Sequence, residues 1–146
     1  MRDAQGVVSV SEPLPTPVPE VTSETAGFWS ATAEGTLLLP RCDHCDTVIW
    51  YPREFCPACG SLEVTWIPAT GRGSVYSFTI IRRPVPPYEG AAPFVVAYVE
   101  LAEGPRVLTN VVECDIDDVE IGMPVEVVFH DTGEGSALYR FRPVEH

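Results

Sequence analysis

The chain has 146 residues, 45% of them hydrophobic, and a formal net charge of −12. That length suits one compact core with a small appendage and excludes two full-sized domains. The longest apolar runs, such as FVVAYV at 94–99, fall far short of the roughly 18 residues a membrane-spanning helix requires.

The charge is unevenly spread: one Arg against five acids in residues 1–39, five Arg against four acids in 40–83, and three Arg against twelve acids in 84–146. The N-terminal stretch MRDAQGVVSVSEPLP has one basic residue and no apolar run long enough for a signal peptide, so the expected setting is a reducing cytoplasm. Four prolines in SEPLPTPVPE, residues 11–20, forbid a helix and predict an extended arm over 1–21 that tethers or wraps. A short helix is expected within 22–39, where TSETAGFWSATAEG offers Thr22 or Ser23 as N-cap, acids in the first turn and Gly35 as a stop. Phe28 and Trp29 on that helix are candidate core or interface groups.

The segment 40–62 holds RCDHCDTVIWYPREFCPACG, in which Cys42, Cys45, Cys56 and Cys59 form two Cys-x-x-Cys pairs with ten residues between them. Paired hooks of this kind bring four thiolates to one tetrahedral ion, and a site filled by four Cys leaves no position for water or substrate. A structural zinc is favoured over a rubredoxin-like iron, two local disulfides or a redox dithiol. Gly60 after the second hook suits a turn through positive φ, and Asp46 after the first tolerates the same conformation. His44 reads as a surface residue or a donor to the cluster, because the four cysteines already complete the ligand set.

From residue 63 to 146 the pattern is β. EVTWIPA, GSVYSFTIIRR, PFVVAYVEL, RVLTNVVEC, PVEVVFHDT and ALYRFRPV are short runs rich in Val, Ile, Thr and aromatics, separated by Gly, Pro or Asp. Five or six antiparallel strands closing into an OB-type barrel are expected, since closure removes unpaired edges; a β-sandwich is the competing arrangement. Cys114, at the end of one run, reads as apolar filler.

No nucleophile elbow, zinc-protease helix, phosphate-binding loop or dinucleotide fingerprint is present, and His130 with Asp131 does not make a hydrolytic triad by pattern. A chain acting as an enzyme by itself is therefore disfavoured. A nucleic-acid-binding module is the main alternative, with Arg72, Arg82 and Arg83 beside Tyr76 and Phe78 as its only basic, stacking face. The acidity of the barrel segment opposes it.

The helix with FW, then GTLLLPRCDHC, WYPREFCPACG, GRGSVYSFTIIRRP, FVVAYVELAEGPRVLTNVVE and VEIGMPVEVVF, resemble the family of small OB-fold proteins with a rubredoxin-like zinc ribbon known as domain of unknown function number thirty-five. The resemblance runs from about residue 23 to 145 and departs from many members at Asp46, where they have Gly. It implies a non-catalytic accessory subunit that docks on a thiolase-like enzyme acting on acyl-CoA thioesters. The favoured partner is a lipid-transfer-protein-like aldolase or a thiolase of sterol side-chain degradation. On that reading Arg82, Arg83 and Tyr88, in the Pro-rich connection after GSVYSFTII, together with Phe28 and Trp29, are candidate contacts to the partner or to CoA.

Overall fold

The computed structural model describes residues 14–144. The first thirteen residues of the expected arm lie outside that range. Residues 14–21 run without regular secondary structure, as three prolines among them require. The helix α1 spans Ala26–Ala33 and starts later than the sequence suggests: its N-cap is Thr25, whose side chain makes no capping bond, and no acid lies in its first turn. Thr22 and Ser23 belong instead to a preceding turn, closed by Thr25 N–H donating to the Thr22 carbonyl at 3.1 Å. Gly35, at φ 82°, ends the helix as expected.

Strands β1 (Leu38–Cys42) and β2 (Val64–Pro68) pair antiparallel as a separate two-stranded sheet. The EVTWIPA run, expected as the first barrel strand, thus closes the ribbon, because its partner is the strand leading into Cys42. The barrel begins at β3 (Arg72–Ile81) and continues through β4 (Phe94–Leu101), β5 (Arg106–Val111), β6 (Pro124–Asp131) and β7 (Ala137–Pro143). These five strands close in the order β3-β4-β5-β7-β6. Four contacts in the ring are antiparallel, and the closing contact between β5 and β7 is parallel at Val111 and Phe141. That pattern is the OB-type Greek-key barrel.

Period-2 alternation explains the barrel interior. On β4 Val95, Ala97, Val99 and Leu101 are buried, and on β5 so are Val107, Thr109 and Val111. A bulge between Val75 and Ser77 on β3 gives Tyr76 no partner on β4 and leaves its ring exposed. Arg106 stacks on that ring, 3.8 Å from its centroid.

Helix α1 joins the two sheets, packing on β1 of the ribbon and on β6 and β7 of the barrel. Thr32, fully buried, accepts from the Ala137 N–H at 3.0 Å and donates to the Trp29 carbonyl, so the helix is fastened to the start of β7. Phe28 sits at the centre of an aromatic cluster with Trp29, Trp50, Tyr51 and Tyr139, at centroid distances of 4.9–6.1 Å. Burial of one such ring contributes about 1.5–3 kcal/mol. Gly27 lets the Trp66 ring of β2 lie against the helix, since a Cβ there would stand 3.2 Å from it.

Candidate metal centre and docking face

The two knuckles are built by local backbone geometry. Cys42 N–H donates to the Thr47 carbonyl and Asp46 N–H to the Cys42 carbonyl, both at 2.9 Å, which turns the chain through Asp46 at φ 64°. In the second knuckle Cys56 N–H donates to Ser61 and Gly60 N–H to Cys56, with Gly60 at φ 80°. Both residues take the left-handed conformation expected of them. The turns aim backbone donors at sulfur: His44 N–H and Cys45 N–H each lie 3.4 Å from Cys42 Sγ. His44 therefore acts through its main chain, and its side chain is exposed.

The four sulfurs lie within 4.8 Å of one another, with Cys42–Cys59 and Cys45–Cys56 at 3.6 Å. A disulfide requires about 2.05 Å, and all five cysteines are free. A tetrahedron of zinc–sulfur bonds of about 2.3 Å has edges of about 3.8 Å, so the donor set fits zinc. Cys42 and Cys56 are buried beside Ile49, whereas Cys45 and Cys59 face solvent. The Thr47 hydroxyl, 3.1 Å from Cys45 Sγ, and then the Thr47 backbone hold that thiol down at about 6, whereas, against the Ser61 backbone, desolvation and the neighbouring thiols push Cys59 up to about 12; metal binding must displace that proton. When bound, zinc would supply cross-linking of two knuckles whose own buried cluster is only Cys42, Ile49 and Cys56 with Val64 against it.

The connection between β3 and β4 carries the expected Arg82, Arg83 and Tyr88. Both arginines are exposed and, among the described residues, have no carboxylate within salt-bridge distance. Tyr88 packs on Phe94 with ring centroids 5.3 Å apart. Together with Arg83, Val85, Val96 and Leu108 they line an open apolar groove of about 490 Å³ on the outer face of β4 and β5. Phe28 and Trp29 are not part of this face. With 0% and 6% exposure they are core residues, so the expectation that they touch a partner gives way to an internal role.

His130 and Arg140 were not legible as a pair. Arg140, a charged residue of ALYRFRPV, is 1% exposed. One of its terminal nitrogens donates to His130 Nδ1 at 2.8 Å and the other to the Pro15 carbonyl at 2.6 Å. His130 is thus turned toward a cation, and among the described residues no serine or carboxylate hydrogen-bonds its ring. Cys114 lies beyond β5 and not on it, half-buried against the core, and burial followed by the nearby Asp118 and Asp115 pushes its thiol up.

Comparison with known proteins supplies the lineage. The ChsH2 rubredoxin-like zinc ribbon domain matches residues 29–65, and the ChsH2 C-terminal OB-fold domain matches residues 66–130. A DUF35 domain-containing scaffold protein of Methanocaldococcus jannaschii is 38% identical over 113 residues, covering 73% of this chain and 80% of that one. The chain belongs to the DUF35 family. A solved DUF35 chain titled Ltp2-ChsH2(DUF35) aldolase superposes with a TM-score of 0.77 at 37% identity, over 86% of this chain and 98% of that one. The 3-oxo-4,17-pregnadiene-20-carboxyl-CoA hydratase alpha subunit of Mycobacterium tuberculosis is 34% identical over 137 residues, and its match takes in 87% of this DUF35 chain but only 40% of the hydratase subunit. DUF35 membership places the ribbon and barrel in one lineage and agrees with the zinc-type donor set. Among the described residues, no helix is long and apolar enough to cross a membrane.

Proposed function

We propose that this DUF35 protein is a non-catalytic accessory subunit that docks on a thiolase-fold enzyme acting on acyl-CoA thioesters. The partner is a lipid-transfer-protein-like aldolase or a thiolase of sterol side-chain degradation. The observation that carries the reading is the likeness, over nearly the full length of both chains, to the DUF35 chain of the Ltp2-ChsH2 aldolase. The name of the mycobacterial relative, a subunit for a steroid-type CoA thioester, supports the substrate class. The chemistry of the metal site agrees: four thiols fill one tetrahedral set and leave no open position for water or substrate.

The docking face is the β3–β4 connection with its groove. Arg82 and Arg83, exposed and without a carboxylate partner among the described residues, stand beside apolar Val85, Phe94 and Leu108, the mixture of a desolvated centre and cationic rim that protein interfaces use. A CoA phosphate held by the partner is a second group those arginines fit.

Co-expression with a thiolase-like enzyme encoded beside it tests the reading. The two chains should elute together in gel filtration, and the enzyme should gain activity or solubility while this chain alone turns over no acyl-CoA. Arg82→Glu with Arg83→Glu should weaken the complex and leave metal content and fold intact. Separate elution with unchanged activity removes the accessory role; an unaffected complex in the double variant removes only the proposed face.

A further inference from the structure

We infer that Pro15, Arg140 and His130 form a proton-released latch: protonating the His130 ring frees the Arg140 guanidinium and detaches the N-terminal arm. The latch follows from hydrogen-bond roles. A guanidinium only donates, so at 2.8 Å His130 Nδ1 must be an unprotonated acceptor, with the ring neutral and its proton on Nε2. The guanidinium's other contact holds the Pro15 carbonyl at 2.6 Å, across 125 residues of sequence. Among the described residues this is the one hydrogen bond between 14–21 and the rest of the fold, and Pro15, Pro17 and Pro19 have no N–H with which to make another. Among the described residues, Arg140 is the one side chain that hydrogen-bonds this segment of the arm.

That side chain is in turn held by few groups. Arg140 is a buried cation with, among the described residues, no carboxylate within salt-bridge distance; its hydrogen-bond partners there are the His130 nitrogen and the Pro15 carbonyl, and Tyr88 of the β3–β4 connection lies near it. Adding a proton to Nδ1 removes an acceptor and sets two cations at hydrogen-bond distance in a dry site, where repulsion is weakly screened. The flexible partner yields: Arg140 leaves, and the Pro15 carbonyl loses its anchor.

The surroundings of His130 bear on where this happens. Arg140 faces it from β7 and Glu113 from the turn after β5, and among the described residues the arm contributes the Pro15 carbonyl to Arg140. Burial and then Arg140 hold the ring below its ordinary value, against the pull of Glu113, which is itself paired with Arg142 at 3.3 Å. The folded chain takes up this proton less readily than the unfolded one, so the latch is shut above about pH 6.5 and opens as the pH falls below it.

Nuclear magnetic resonance on the full, isotope-labelled chain tests the latch between about pH 8 and pH 5. The His130 ring nitrogens report protonation, and the Pro15 carbonyl carbon and Thr16 amide report the arm. The expected result is that both arm signals lose their alkaline shifts along the same curve as His130, with a midpoint below about 6.5. In His130→Asn, whose amide oxygen takes the place of Nδ1 and does not titrate, both should keep their alkaline shifts throughout. Arm signals that stay fixed while His130 titrates overturn the proposal. So do arm signals that follow His44 instead, a His130 ring that stays neutral until the barrel unfolds, or an unchanged midpoint in the variant. If His130→Asn does not fold, the coincidence of the wild-type curves decides alone.

Discussion

Trp29 donates its indole N–H to the Tyr51 hydroxyl across 2.8 Å, joining α1 to the ribbon segment between the two knuckles. On the same helical turn Phe28 meets Tyr139 of the barrel with ring centroids 5.8 Å apart. Two adjacent side chains therefore fix the ribbon against the barrel, and the relation between them is carried by packing more than by the bond.

Phe28→Ala is accordingly expected to lower stability by about 3–5 kcal/mol, the range for removing a fully buried ring. Tyr51→Phe should cost about 1 kcal/mol, since Tyr51 is 38% exposed and water can replace its hydroxyl. Urea unfolding of both variants at one pH checks this. Equal losses would mean that the aromatic cluster does not carry the junction.

One zinc ion per chain should accompany protein purified without added metal. The buried Cys42 and the exposed Cys59, 3.6 Å apart, are both needed to close the site. Cys42→Ser and Cys59→Ser are expected to lose the metal and loosen the ribbon while the barrel, which has its own core, keeps its strand signal in circular dichroism. Elemental analysis with and without a chelator gives the answer; a metal-free ribbon as protease-resistant as the native one would refute it.

The metal centre and the barrel were readable from the sequence because each rests on a local pattern. Cysteine spacing defined the knuckles, and alternation in FVVAYVEL and RVLTNV defined the inner face of β4 and β5. What sequence could not supply was pairing at a distance. EVTWIPA has the same β character whether it joins the barrel or the ribbon, and only the register of Val64 with Cys42 decides. The helix start has a related cause: Thr22, Ser23 and Thr25 are all fair caps, and the turn closed between Thr22 and the buried Thr25 chooses among them. Arg140 was hidden most completely, because burial of a charge depends on a carbonyl 125 residues away.

Single-stranded DNA and RNA should bind no more tightly than to a non-specific acidic surface. The structure removes several of the cations that an OB barrel needs for phosphates. Arg72 reaches Glu126 at 3.7 Å, Arg142 lies 2.9 Å from the same carboxyl group, and Arg106 pairs with Glu100 at 3.3 Å while covering Tyr76. On the barrel, with Arg140 buried, that leaves Arg82 and Arg83 exposed, beside a segment rich in acids. Fluorescence anisotropy with labelled oligonucleotides at two salt concentrations measures the affinity, and sub-micromolar binding with a steep salt slope would revive the nucleic-acid reading.

Gly73 should be the least replaceable residue of the barrel. It pairs with Leu101 of β4 on one side and Val125 of β6 on the other, so the ring of strands closes through its backbone. A Cβ there would stand 2.5 Å from the Glu100 carbonyl oxygen and 2.8 Å from a Val99 methyl. The methyl can rotate away, but the carbonyl belongs to the ladder and cannot move without parting β3 from β4. Gly73→Ala is expected to cost about 1–3 kcal/mol or more through overpacking. Gly104→Ala provides the contrast: its Cβ would meet nothing, and only the backbone cost of φ 116°, about 1–2 kcal/mol, applies. In thermal unfolding Gly73→Ala should lose at least as much as Gly104→Ala and should also expose barrel amides of β3 and β4 to hydrogen exchange. Native protection of those amides in Gly73→Ala would mean that the strands slide to accept the methyl group and that barrel closure does not depend on this glycine.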